Sequence, residues 1–268
     1  MKLASIPLPA ALRIAAPLAV LAQLLSVARP AAAQTPDVRY GDPVEIGTGI
    51  ARTYVALDSD GRATEIGIAL SPEALASLPE PVEGPPENSV FSWDLPFPEG
   101  APAPYRFAGL DWNPLGHVPP GIYDVPHFDF HFYLIPPAER DAIVPDDPEY
   151  VARSARPVDA SLLPAGYVLP PDATVPRMGT HWVDPASHEF HGQPFTSTFI
   201  YGSWDGRLVF IEPMITLAML QSPAGFSADL ALPERVPVKG SYPAKYVVRR
   251  DEASGEIRVA LADLTERD

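Results

Sequence analysis

Hydrophobic and polar residues alternate with a period of two along much of this chain, which is the pattern of β-strands. Residues 44–57 and 64–70 are rich in β-branched and apolar side chains, and the Asp-Ser-Asp-Gly between them is typical of a tight turn. Residues 195–201 and 207–216 flank an Asp-Gly turn in the same way. The pattern therefore predicts two β-hairpins, one early in the chain and one late.

A further pair of strands is expected near the end of the sequence, at residues 244–249 and 256–261. Helix signals are few and short. Ser71 followed by Pro72 is typical of a helix start, and a second helix is expected at residues 149–155. Because no strand–helix–strand alternation occurs, we predict a mainly β fold, an antiparallel barrel or sandwich with a few short helices.

Between residues 79 and 126 the chain contains twelve prolines, which exclude a long helix or a central strand. The same segment carries aromatic residues such as Phe91, Trp93 and Trp112, which argue against disorder. We predict a long, ordered, proline-rich loop with one short strand near residues 105–110. The alternative is a flexible linker between two domains, although such linkers are usually poor in tryptophan.

The first 33 residues have the pattern of a secretory signal peptide. Lys2 and Arg13 supply positive charge, residues 14–27 are apolar, and three alanines at residues 31–33 provide a cleavage site. The apolar stretch is shorter than the roughly 20 residues that span a bilayer, but an N-terminal anchor helix is the alternative. We expect an exported protein, periplasmic or extracellular, with one β-rich domain over residues 34–268 and no membrane span after cleavage.

The composition excludes several classes of function. The chain has no cysteine, so disulfides and thiolate chemistry are excluded. Its formal net charge of −15 disfavours nucleic acid and anionic membranes as partners. The motifs of a serine nucleophile elbow, a phosphate-binding loop and a dinucleotide site do not occur. A small-molecule ligand and a homo-oligomer are both compatible with the sequence.

Residues 126–133, Pro-His-Phe-Asp-Phe-His-Phe-Tyr, carry the most informative chemistry. As a strand, this segment places its phenylalanines on one face and His127, Asp129 and His131 on the other. A strand advances about 3.3 Å per residue, so the backbones of His127 and His131 lie roughly 13 Å apart and cannot easily reach one ion. The expected chelate is Asp129 with one neighbouring histidine, unless a strongly curved strand brings all three together.

Other residues could complete a metal site. His181 follows a glycine in Gly-Thr-His-Trp-Val-Asp, and Glu212 lies on a predicted strand with apolar residues two and four positions before it. An ionised carboxylate on an apolar face is costly unless it is paired or bound to a metal. His117 is a weaker candidate on the proline-rich loop. His188 and His191 lie in a polar segment, where we expect them to face solvent.

These residues predict a divalent-metal site formed by some of His127, Asp129, His131, His181 and Glu212. Imidazole and carboxylate ligands without thiolate favour zinc first, and then manganese or iron. The alternative is a metal-free network in which the same groups hydrogen-bond one another. The first reading corresponds to a metal-dependent hydrolase or lyase, and the second to a non-enzymatic small-ligand-binding or assembly protein.

Four blocks of the sequence resemble those of an uncharacterised family of exported bacterial proteins, a domain of unknown function. They are PHFDFHFY, GTHWVD, IYGSWDG and VFIEPMIT, which begin at residues 126, 179, 200 and 209. The resemblance implies export and a single domain over most of the mature chain. It implies no activity, cofactor or site residue.

Overall fold

The structure is a computed structural model and describes residues 37–268. The strands of this part are β1 (Asp37–Tyr40), β2 (Val44–Ile46), β3 (Gly49–Leu57), β4 (Ala63–Leu70), β5 (Phe91–Pro96), β6 (Phe107–Asn113), β7 (His127–Tyr133), β8 (Thr174–Val175), β9 (Gly179–Trp182), β10 (Ser197–Trp204), β11 (Arg207–Thr216), β12 (Phe226–Asp229), β13 (Gly240–Tyr242), β14 (Lys245–Arg250), β15 (Ile257–Ala262) and β16 (Thr265–Arg267).

The helices are short. They are α1 (Pro72–Ala76), α2 (Pro137–Asp141), α3 (Tyr150–Ser154) and α4 (Leu217–Leu220), with 3₁₀ turns at Pro86–Ser89, Ala160–Leu162 and His188–His191. Helix α1 begins as predicted, because the Ser71 side chain accepts a hydrogen bond from the Ala74 N–H. Helix α3 lies in the second predicted segment. Within residues 37–268, no helix is long and apolar enough to cross a membrane.

The strands form two seven-stranded antiparallel sheets and a small pair, β13 with β16. Sheet A has the order β1-β3-β4-β15-β14-β12, and β2 also pairs with β3. Sheet B has the order β5-β6-β7-β11-β10-β9-β8. The predicted mainly β, antiparallel fold with a few short helices is confirmed.

Sheet B is covered on both faces. On one face, side chains from both sheets form the main hydrophobic core, which includes Val55, Ile66, Ile68, Leu110, Phe128, Phe130, Phe132, Val259 and Leu261. The other face carries a second apolar cluster, which includes Phe107, Tyr133, Ile200, Phe210 and Met214. All seven residues of β7 are therefore buried, and its polar side chains lie inside the protein.

The predicted hairpins are confirmed, with two corrections. Residues 44–57 hold two strands, because Gly47, with a φ of +57°, turns the chain between β2 and β3. The proline-rich segment holds β5 as well as β6, so the expectation of one strand there is wrong. Strand β5 lies at the edge of sheet B. There Pro96, which has no N–H to donate, does not interrupt the hydrogen bonds between strands.

The division into a signal peptide over residues 1–33 and one domain over residues 34–268 stays a prediction. The predicted signal peptide lies outside the described residues.

Candidate metal centre

The polar face of β7 is extended by its neighbour β6. Asp111 pairs with Asp129, and Asn113 pairs with His127. Because directly paired residues of antiparallel strands point to the same side, these four side chains share one face of sheet B with His131. Asn113 Nδ2 donates a hydrogen bond of 2.9 Å to Asp129 Oδ2.

Glu212 and His181 also lie on this face of sheet B. They belong to strands that are on the opposite side of β7 from β6. Strand β11 pairs Met214 with Asp129, a register that places Glu212 beside His131. His181, on β9, pairs with Gly202 of β10. Sheet order therefore brings together side chains from β6, β7, β11 and β9.

One cluster, which we call the His117 triad, consists of His117, His127 and Asp129. His117 Nε2 lies 3.4 Å from Asp129 Oδ2, and His127 Nε2 lies 3.2 Å from Asp129 Oδ1. The His127 ring is fully buried, whereas the His117 side chain is 30% exposed. His117 lies on the loop between β6 and β7. Its backbone N–H donates a hydrogen bond of 3.2 Å to the Tyr123 carbonyl.

The second cluster, the His131 triad, consists of His131, His181 and Glu212. His131 Nε2 lies 3.5 Å from Glu212 Oε2, and His181 Nε2 lies 3.8 Å from the same oxygen. His131 and Glu212 are buried, and the His181 side chain is 16% exposed. In each triad one ligand atom from every residue lies within 4.8 Å of the others, so both clusters are geometrically able to hold a metal ion.

Three of the triad histidines are oriented through their Nδ1 atoms. Nδ1 of His117 and of His127 lies 2.7 Å from a backbone carbonyl, that of Val118 and of Val125 respectively, and Nδ1 of His181 lies 3.1 Å from a carbonyl. A carbonyl oxygen only accepts, so these Nδ1 atoms carry the proton and donate. The lone pair of each neutral ring is then on Nε2, which faces the carboxylate of its triad.

His131 lies beside a carboxylate instead, although its Nδ1 makes no hydrogen bond. Its Nδ1 faces Asp111 Oδ2 at 3.2 Å, while its Nε2 faces Glu212. A carboxylate behind an imidazole is the arrangement that commonly supports a metal-binding histidine.

The spacing within the triads is compatible with a bound ion. Among the described residues, five buried atoms of the two triads have no hydrogen-bond partner: His127 Nε2, Asp129 Oδ1, both ring nitrogens of His131 and Glu212 Oε2. Two atoms that each lie about 2.0–2.1 Å from a tetrahedral zinc are roughly 3.3–3.4 Å apart. The observed separations of 3.2–3.8 Å are close to that value.

Mutual charges and burial shift the pKa values of the triads. Burial lowers the pKa of His131, but the Glu212 and Asp111 carboxylates outweigh it and raise that pKa to about 9. The pKa of His117 is likewise lowered by burial and raised, on balance, to about 9 by Asp129. Burial raises the pKa of Glu212 to about 8.

His181 differs from His117 and His131. Burial and the neighbouring His131 lower its pKa to about 4. It is therefore neutral at pH 7, as a metal ligand must be.

The five residues predicted from sequence lie on one face but are divided between the two triads. His127 and Asp129 are together, as the strand spacing required, and His131 joins His181 and Glu212. His188 and His191 are exposed, as predicted.

Sequence reasoning underrated His117 and missed Asp111 and Asn113. For the last two a signal existed: Asp111 and Asn113 are two apart, on either side of a tryptophan, in the segment where a strand was expected to end. No comparable local signal exists for His117, since the path of its loop decides where its ring lies.

Gly202 leaves room for the Phe210 ring, which packs against two residues of the His131 triad. A Cβ at this position would overlap the Phe210 ring, whose centroid lies 4.9 Å from that of His131 and 5.1 Å from that of His181. We expect Gly202→Ala to lower the free energy of unfolding by about 1–3 kcal/mol and to weaken ion binding at this triad. Urea melts and metal titration measure the two effects.

The double variant Gly202→Ala/Phe210→Leu is the control, because a smaller side chain at residue 210 should relieve the overlap and recover part of the stability. Wild-type stability and ion binding in Gly202→Ala would contradict the proposed role of this glycine.

Comparison with known proteins gives one match. Residues 58–112 are similar to the family described as TTHB210-like, hypothetical protein TTHB210. The match runs from the turn after β3 to β6 and includes Asp111, but it covers less than half of the chain. It supports a relation to an uncharacterised family, whereas the four blocks quoted above lie outside the matched residues. No curated protein and no solved structure matches the chain significantly.

Proposed function

We propose that this chain is an exported metal-binding protein whose triads hold divalent ions, zinc first and manganese or iron next. The observation that carries the proposal is the orientation of the histidines. His117, His127 and His181 each donate Nδ1–H to a carbonyl and direct Nε2 at a carboxylate oxygen 3.2–3.8 Å away. Such separations suit ligands that share an ion, and the buried Nε2 of His127 makes no hydrogen bond.

We further propose that a bound ion activates water for a hydrolysis or elimination reaction. Two imidazoles and one carboxylate are a common ligand set of catalytic zinc, which keeps a further position for water. Zinc lowers the pKa of bound water to about 7 and so generates hydroxide at neutral pH. The oxygen of Asp129 or Glu212 that does not bind the ion would accept or return the proton.

A second candidate function is the binding of a small ligand without metal. A groove of about 280 Å³ lies beside the start of β10 and contains none of the triad residues. Hydroxyl groups and aromatic rings line it, including Tyr167, Ser187, Thr198, Phe226 and Tyr246. This combination suits a small polar molecule, and a protein that binds one here without any metal would favour the second candidate.

Metal content decides between the two. We expect the untagged wild-type protein to contain zinc, manganese or iron in stoichiometric amount by mass spectrometry, and His131→Ala and Glu212→Ala each to lose metal while remaining folded. The control is His191→Ala, which removes an exposed histidine outside both triads. Metal below stoichiometry in the wild type, unchanged after addition of the three ions, would end the proposal.

Export is a separate proposal with its own test. The charged start, apolar middle and alanine-rich end of residues 1–33 support it. The exported protein is expected to begin at or near Gln34, as measured by intact mass. Retention of residues 1–33 in the exported protein would contradict cleavage.

A further inference from the structure

We propose that the two triads hold one ion each and differ in access, so that the His117 triad exchanges its ion and binds external ligands while the His131 triad is closed. This inference rests on the proposed function and assigns a separate role to each site.

The distance between His127 and His131 along β7 separates the two sites. His127 and His131 are four residues apart on one strand, and their backbones are therefore separated by roughly 13 Å. Each ring faces a different carboxylate, Asp129 for His127 and Glu212 for His131. The two ligand sets share no residue, so each is a complete set of three ligands.

The His131 triad is enclosed by regular structure. Its three residues lie on β7, β9 and β11, so strand pairing fixes all three backbones. The His131 ring is stacked on Tyr133 at 5.5 Å and meets the edge of Phe210 at 4.9 Å. His131 and Glu212 are buried and His181 is 16% exposed, about half as much as His117, so an ion here is the less accessible of the two.

The His117 triad has one ligand on a loop. His117 is 30% exposed, and the next residue, Val118, is 72% exposed. The ring depends on local contacts, namely its Nδ1–H to the Val118 carbonyl and its backbone N–H to the Tyr123 carbonyl. Segments held by few contacts open at a low free-energy cost, so this ligand can detach while the strands stay paired.

The residues of the His117 triad determine which external ligands an ion held there can bind. With two imidazoles and one carboxylate, a tetrahedral ion would have one position left, and His117 is the ligand of this set that reaches solvent. The rings of Tyr123, 5.8 Å from His117, and Phe195, 5.5 Å from His127, form the nearby walls. Such a position takes water or a small anion that can displace it.

The test loads the full chain with Co²⁺, a coloured substitute for zinc, and follows its removal by EDTA. We expect two ions per chain and two kinetic phases. His117→Ala should lose one ion and the fast phase, and His181→Ala should lose one ion and the slow phase. Azide should change the visible spectrum of the wild type and of His181→Ala, but not that of His117→Ala. His191→Ala should behave as the wild type.

Several results would overturn the inference while leaving metal binding intact. They are a single ion per wild-type chain, release of both ions in one phase, or an azide response that survives in His117→Ala. If His181→Ala fails to fold, Glu212→Gln replaces it, with the same loss of the slow phase expected. A wild-type chain that binds no Co²⁺ would instead contradict the proposed function itself.

Discussion

EDTA is expected to lower the melting temperature of the metal-loaded protein substantially. A ligand present at about 1,000 times its dissociation constant stabilises the folded state by about 4 kcal/mol, which for a chain of this size corresponds to roughly 8–16 °C. The ion would bind the folded state almost exclusively, because ligands from β7, β9 and β11 meet only after the sheet has formed. Differential scanning calorimetry with and without EDTA measures the shift.

The size of this shift should grow between pH 6 and pH 9. In the metal-free protein the pKa of His131 is about 9, above its value of about 6.5 in an unfolded chain. Its contribution to stability is therefore complete below about pH 6.5 and is lost as the pH rises through 9. Ion binding changes in the opposite direction, because protons on His131 and His117 compete with the metal and are removed over the same range.

Glu212 adds to the same trend. Burial holds its pKa at about 8, so the carboxyl must lose a proton before it can bind an ion. The His131→Ala variant is the control, and its shift on adding EDTA should be smaller at every pH. An EDTA effect that shrinks from pH 6 to pH 9, or that is absent throughout, would contradict a metal held by these residues.

Phe130→Ala is expected to lower the free energy of unfolding by about 3–5 kcal/mol. The ring is fully buried in the main core, beside Phe128 at 5.9 Å, and Phe130 pairs with Leu110 of β6. Truncation removes the apolar contacts of the ring and leaves a cavity that the surrounding sheets cannot close. Denaturant melts at constant pH measure the loss.

The Phe130→Ala variant also tests whether the two faces of β7 have different roles. Phe130 points away from both triads, so the folded variant should keep the metal content of the wild type. Phe91→Ala, at a half-buried position on edge strand β5, is the control and should cost less. A loss below about 1 kcal/mol for Phe130→Ala would mean that its ring is not packed in the core.

Local pattern was enough to predict much of the fold. The alternation in residues 126–133 predicted the strand and its two faces, and the turn sequences predicted the hairpins. The strand β5 was not predicted, because prolines normally exclude central strands and the edge position that tolerates them is not visible in the sequence. Glu212 was recognised as unusual because apolar residues surround it, and it is indeed buried.

The sequence by itself determined that His127, Asp129 and His131 share one face of β7, since side-chain direction in a strand follows from its period of two. Only the tertiary structure decided how these groups are combined. His181 meets His131 because β9, β10, β11 and β7 are neighbours in that order, and His117 meets Asp129 because of the path of its loop. Strand order and loop path depend on the packing of the whole chain, and no local spacing of residues specifies them.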